Sequence, residues 1–172
     1  MPDLFDLAAA FDRFERSAWR LCARDTYDVA EERDVLAAWR EHRPLPPRAD
    51  GWPDILRSRL AAGRQVGRVQ LFTRPLGDYA RFLLAHPYPE NVALGEVVRV
   101  GYRDQMPADL AAVREDFWVF DGQEVAVMEY DDAGRFLRAV NQSGDLDRYL
   151  RLQMAMISAS QPLADVGAVV GQ

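Results

Sequence analysis

Apolar positions in the opening stretch of the chain recur at helical intervals. Leu4, Leu7, Phe11, Phe14, Ala18 and Leu21 follow one another three or four residues apart, with Asp12, Arg13, Arg16 and Arg20 between them. That spacing predicts an amphipathic helix with a solvated, mostly basic face. Thr26 is placed to cap a second helix running to Trp39, with Val29, Leu36 and Trp39 turned inward. Pro44-Leu45-Pro46-Pro47 ends it, because proline offers no amide donor and disfavours helix in the residue before it. A third, shorter helix follows Trp52-Pro53, with Ile55, Leu56 and Leu60 inward and Gly63 as its stop.

At Gly63 the period changes from helical to alternating. Val66–Phe72 and Val97–Arg103 read as strands, separated by a helix that runs through His86 and is terminated by Pro87 and Pro89. A short polar segment, Asp109–Val113, precedes two strands, Phe117–Phe120 and Glu124–Tyr130, and Asp121-Gly122 between them is a strong hairpin signal. A looser turn at Asp132–Gly134 leads into Phe136–Val140. Asp145 then opens a last amphipathic helix with Leu146, Leu150, Met154 and Ile157 on one face. The expected class is α+β in a single domain: N-terminal helices over about 1–62, a mostly antiparallel sheet with one inserted helix and a C-terminal helix over about 63–160, and a loosely held tail after 162. No GxGxxG follows a strand and no regular βαβ alternation is present, which disfavours a dinucleotide-binding sheet.

Composition narrows the chemistry more than the fold. The 172 residues are 49% hydrophobic and 28% charged, enough apolar side chain for a real core and against global disorder. All 21 basic residues are arginines. Schiff-base catalysis, pyridoxal phosphate attachment and the Walker lysine each need a lysine amine, which a permanently protonated arginine does not replace. Net charge −6 works against direct nucleic-acid binding and against attraction to anionic lipid, and no apolar run reaches the about 20 residues of a membrane span. Cys22 is alone, so no internal disulfide forms and a cytoplasmic setting is expected. His42 and His86 are far apart, outside any HExxH spacing. No stoichiometric metal and no covalently attached cofactor are therefore expected. Cys22 sits in a stretch that reads as apolar helix, where a buried core residue and a reactive thiol are both open.

Four segments occur in order through the middle of the chain: Gly63-Arg64-Gln65-Val66-Gly67-Arg68-Val69, Arg74-Pro75-Leu76-Gly77-Asp78-Tyr79-Ala80-Arg81-Phe82, Asn91 through Gly95-Glu96-Val97-Val98-Arg99, and Asp116-Phe117-Trp118-Val119-Phe120-Asp121. Together they resemble an uncharacterised actinobacterial family of unknown function, over Phe5 to about Pro162, whose members are often encoded beside helix-turn-helix regulators. The resemblance implies no particular activity, and that gene setting implies a protein partner.

The same segments hold the candidate chemistry. Arg68, Arg81 and Arg99 can surround an anionic ligand, since guanidinium forks suit phosphate and carboxylate, with Glu96 or Asp116 as acid or base. Ion pairs of the Arg68–Glu96 and Arg81–Asp116 type that merely tie strands to helices explain the same residues. Trp118, with Trp52, Tyr79 and Phe117, forms either a stacking platform for a base or ordinary core. Asp131-Asp132, ahead of Gly134, favours a turn over a metal pair, and no serine lies in a GxSxG elbow. The leading expectation is a non-catalytic regulatory or interaction protein that partners a transcriptional regulator or a second copy of itself, with Phe5, Phe11, Phe14, Trp19 and Trp39 partly exposed for the contact. The alternative is an enzyme or binding protein for a phosphate-bearing or other anionic small molecule, with Arg68, Arg81, Glu96, Arg99, Asp116 and Trp118 as its site.

Overall fold

The computed structural model describes residues 1–167, and its frame is one seven-stranded mixed sheet. The strands are β1 (Ser17–Cys22), β2 (Gln65–Phe72), β3 (Val97–Tyr102), β4 (Asp116–Phe120), β5 (Glu124–Tyr130), β6 (Phe136–Asn141) and β7 (Gln161–Pro162), in the spatial order β6-β5-β4-β1-β2-β3-β7. β1, β2 and β3 run parallel, and the remaining four pairings are antiparallel, so the fold is α+β with a mostly antiparallel sheet. The helices are α1 (Leu7–Arg13), α2 (Arg33–Arg40), α3 (Trp52–Ala61), α4 (Asp78–Ala85), α5 (Pro87–Ala93), α6 (Ala108–Ala111) and α7 (Leu146–Ser158). None of them is long and apolar enough to cross a membrane.

The helical region expected over 1–62 is interrupted by a strand. α1 stops at Arg13, where Phe14 turns extended, and Ser17–Cys22 becomes β1 at the centre of the sheet. Layers cover β1 on both sides, so Ala18, Trp19, Leu21 and Cys22 are all buried and the strand lacks the polar alternation that would have revealed it. Thr26 caps nothing: a short 3-10 turn over Ala30–Glu32 leads into α2. The inserted helix is in fact two, because Pro87 opens α5, where a missing amide costs nothing in the first helical turn. The tail after 162 is partly held. Gln161–Pro162 pairs with β3, and Leu163 and Val166 pack on the core below; residues 168–172 of that tail lie outside the described residues.

The hairpin forms where the sequence places it. Asp121 and Gly122 both take positive φ, 53° and 65°, the geometry of the tight turns that match strand twist. Asp121 also reaches across to β1: its carboxylate accepts the amides of Glu15, Arg16 and Ser17 at 2.9, 2.7 and 2.9 Å.

Side-chain alternation divides the core by sheet face. On one face Trp19, Leu21, Val69, Phe117, Val119 and Val125 meet α6 and α7 through Leu110, Tyr149 and Met156. On the other face the apolar surface is split in two. One part, around α1 and α3, contains Phe14, Ala18, Leu56, Trp118 and Phe120; the second, around α2, α4 and α5, contains Phe72, Phe82, Tyr88 and Val100. The polar residues between the two parts line a cavity.

Candidate functional site

Arg20 of β1 and Arg68 of β2 are register partners on adjacent parallel strands, and Trp118 of β4 is the partner of Arg20 on its other side. All three therefore project from the same face, into the gap between the two apolar clusters. The gap is a cavity of about 540 Å³. Arg20, Cys22 and Arg68 form its floor with Trp118, Met128 and Tyr130; α1 contributes Leu7 and Phe11, α4 Tyr79, and α5 Tyr88 and Asn91. The Asp28–Arg33 segment, Arg48 and Trp52 complete the walls.

Each floor arginine is held by a buried carboxylate and flanked by rings. Arg68 donates through Nε to Glu96 at 2.6 Å, and its guanidinium carbon stands 5.5 and 5.2 Å from the ring centres of Trp52 and Tyr88. Arg20 donates to Asp116 at 3.2 Å and to the Tyr130 hydroxyl at 2.7 Å, and stands 5.5 and 5.7 Å from the rings of Tyr27 and Trp118. Burial opposes the charge on Arg68, but Glu96 beside it, together with Cys22 and Tyr88, outweighs that, so the guanidinium stays protonated. Both carboxylates have further partners. Glu96 also accepts Trp52 Nε1 at 3.0 Å, and Asp116 accepts the Ala23 amide at 2.9 Å and the Tyr27 hydroxyl at 2.5 Å. Both act as positioning groups for the arginines.

The guanidinium edges are less occupied. Among the described residues Arg20 Nε is buried without a hydrogen-bond partner, and Arg68 uses only its Nε. Arg20 Nε lies beneath the cavity surface, so the donors that remain for an acceptor in the cavity are Arg20 Nη1 and the terminal nitrogens of Arg68. Arg48, by contrast, is fully engaged. It bonds Asp50 at 3.0 Å and the Asn91 side chain at 2.7 Å, pinning the proline-rich strap to α5.

Burial also sets the neighbouring acids and thiol. It pushes the Glu32 carboxyl up, more than the Tyr79 hydroxyl donating to it at 2.6 Å pulls it down. It pushes the Cys22 thiol up against the attraction of Arg20 and Arg68, which keeps the sulfur protonated. Tyr130 is pushed up to about 12, again chiefly by burial, so its hydroxyl is a proton donor across the physiological range.

Of the residues singled out from sequence, Arg68, Glu96, Asp116 and Trp118 meet at this cavity or directly beneath it. Arg81 does not: it is exposed on α4 and makes no ion pair among the described residues, so the expected Arg81–Asp116 pair is replaced by Arg20–Asp116. Arg99 is on the opposite face, donating to the Ser160 hydroxyl at 3.0 Å and to its carbonyl, a tie between β3 and the chain after α7. The aromatic set divides likewise. Trp52, Trp118 and Tyr79 line the cavity, whereas Phe117 is core against Tyr149, with ring centres 4.8 Å apart. Sequence reasoning missed Arg20, Tyr27, Glu32 and Tyr88. The available signal was Arg20 itself, a charge inside the run Ala18-Trp19-Arg20-Leu21-Cys22.

No group of three or more His, Cys, Asp or Glu side chains with metal-binding proximity occurs among the described residues. His86 Nε2 is buried without a hydrogen-bond partner among them and lies 4.0 Å from Glu90.

No curated protein matches this chain. Among solved structures, a phospholipase D family member, Nuc, from Salmonella typhimurium is similar in fold, with a TM-score of 0.51 over 90% of this chain and 86% of that one. The identity is 10%, so the likeness is one of fold alone. Residues 5–166 match the family described as domain of unknown function DUF6879, and with nearly its whole length inside that match the chain belongs to this family.

Proposed function

We propose that the protein binds an oxyanion-bearing small molecule, held at the bottom of the cavity by the free edges of Arg20 and Arg68. The observation that carries this reading is the pair of in-register arginines on the cavity floor, each flanked by rings and each with terminal N–H groups that make no hydrogen bond among the described residues. Rings on the flanks leave the N–H edges as the open contact, and those edges match phosphate, sulfate or carboxylate oxygens. Glu96 and Asp116 already balance much of the positive charge. That favours a singly charged or compact anion over a polyphosphate. The reading is of binding without chemistry, since both carboxylates are committed to the arginines and the Cys22 thiol is kept neutral. The setting it implies is a reducing cytoplasm, which suits the lone buried Cys22.

The competing reading, a non-catalytic partner of an actinobacterial transcriptional regulator, has less support. Of the five aromatic residues that would supply an exposed helical face, Phe14 and Trp19 are buried and Phe5, Phe11 and Trp39 are packed against core clusters.

Isothermal titration with ethyl phosphate, sulfate and acetate tests the binding reading. Arg20→Lys keeps a positive charge beside Asp116 but removes the planar fork, and is expected to weaken binding about tenfold. Wild-type protein that binds none of the three, or Arg20→Lys protein that binds as well as wild type, would overturn it.

A pH dependence follows from Glu32. It is neutral below its raised pKa and negative above it, and the negative form opposes an anion in the same cavity, with Arg48, Arg68, Asp50 and Tyr79 as its neighbours. Sulfate, whose own charge is constant, is expected to bind more weakly at pH 8 than at pH 5, on the order of threefold to tenfold. In Glu32→Gln the slope should flatten; an unchanged slope assigns the effect to another group.

A further inference from the structure

The cavity crosses the sheet in a definite direction. Its floor residues fall on β2 (Arg68), β1 (Arg20), β4 (Trp118), β5 (Met128) and β6 (Phe136), five neighbouring strands. With strands about 4.8 Å apart, Arg68 and Phe136 are separated by roughly 19 Å across the face. Chemistry changes along that line: donors at the β1–β2 end, then the Trp118 ring and the Met128 thioether, then Phe136 facing Leu7 of α1. Beside the far end lies a second cavity of about 230 Å³, and Leu7 and Phe136 line both.

The second cavity is a groove between β6 and the segment that precedes α1. This segment lies along β6, with Leu4 bridging Val140 and the Phe5 amide donating to the Ala139 carbonyl at 3.0 Å. Leu4 and Phe136 stand on the rims, 64% and 48% exposed, and Ala139 and Phe5 are beneath. The charged groups nearby are already used: Arg138 pairs with Glu129 at 2.5 Å, and Asp6 caps α1 through the Ala9 amide at 3.0 Å. Two large apolar side chains left open to water, next to a cavity whose other end holds guanidinium donors without a protein partner, describe the two halves of one amphipathic occupant.

We infer that the ligand is a soluble single-chain amphiphile, with its oxyanion on Arg20 and Arg68 and its apolar chain running over Met128 and Phe136 into the groove beside Leu4. This rests on the oxyanion reading for its head and adds the class of the remainder. A path that spans five strands and leads to a single groove favours one extended chain, taken from solution, over a compact ring system or a two-chain lipid in a bilayer.

Titration of the full chain with ethyl, butyl and hexyl phosphate separates head from tail. Each methylene buried in an apolar site strengthens binding about three- to fourfold, so even partial burial predicts hexyl phosphate at least about tenfold tighter than ethyl phosphate. Leu4→Asp alters an exposed rim residue that the core does not need, and is expected to reduce that gain to less than about threefold; Phe136→Ser is expected to act in the same direction. Equal affinities for ethyl and hexyl phosphate would overturn the tail and leave the head site standing. A chain-length gain untouched by both substitutions would also overturn it, by placing the chain elsewhere. If binding grows with chain length and ignores Arg20→Lys, the oxyanion reading fails and with it this assignment. Sedimentation with phosphatidylcholine vesicles containing phosphatidic acid supplies the last arm: co-sedimentation without hexyl phosphate binding would make the occupant a membrane headgroup and overturn the proposal, whereas hexyl phosphate binding without co-sedimentation supports it.

Discussion

Glu96→Ala is expected to destabilise the protein by about 3 kcal/mol, read as a lowered midpoint of urea denaturation at unchanged slope. Glu96 is 2% exposed and accepts both the Arg68 guanidinium and the Trp52 indole. Its removal strands a buried guanidinium and leaves an indole N–H without a partner. Losses from breaking a buried pair range over about 3–5 kcal/mol, and the lower end applies because the other edge of Arg68 opens on the cavity. Glu96→Gln, which keeps an acceptor for one donor but loses the charge, should cost about 1–3 kcal/mol. The double change Arg68→Met with Glu96→Leu removes both charges together and should recover most of the loss, since an apolar pair of similar volume is often as stable as a buried ion pair. A Glu96→Ala midpoint equal to wild type would show that water in the cavity already solvates Arg68.

The second large effect is expected at Asp121. Asp121→Ala should cost about 2–3 kcal/mol, because three amides lose their acceptor and alanine must adopt the left-handed backbone that aspartate tolerates at φ 53°. The loss should depend on pH. Burial by itself would push the Asp121 carboxyl up, but the amides of Glu15, Ser17 and Arg16 outweigh it and hold the group below the usual aspartate range. A depressed pKa contributes stability that is complete above the unfolded value of about 3.9 and is lost as pH falls through the folded value. The gap between wild type and Asp121→Ala should therefore be widest above pH 5 and narrow toward pH 2. A gap constant over that range would assign the whole effect to backbone strain.

Asp121 also illustrates what the sequence makes legible. Asp-Gly between two alternating runs carries a local conformational requirement, and the turn forms there. β2, β3, β5 and β6 are legible for a similar reason, since β-branched and alternating residues sit between turn signals. β1 is not. Its apolar residues continue the three- and four-residue spacing of α1 by coincidence, and its burial on both faces erases the alternation by which a strand is recognised. The site was half legible for the same reason: once Ser17–Cys22 is read as helix, Arg20 falls on a solvated face and cannot be set beside Arg68. Arg81 and Arg99 show the converse error. Both lie in the same ordered segments as Arg68, but α4 turns Arg81 to solvent and the pleat of β3 sends Arg99 to the opposite face.

The segment along β6 has a consequence for self-association. An open strand edge offers a row of free donors and acceptors to any second sheet, and natural sheets blunt such edges. Here Asp3–Phe5 occupies part of the β6 edge, and at the opposite edge the two-residue β7 presents Pro162, which has no amide to donate. The Asp3–Phe5 guard and one wall of the apolar groove are the same few residues. Changes that loosen this segment should raise fibril or aggregate formation and weaken chain-length selectivity together, so colloidal behaviour becomes a second, ligand-free report on the groove.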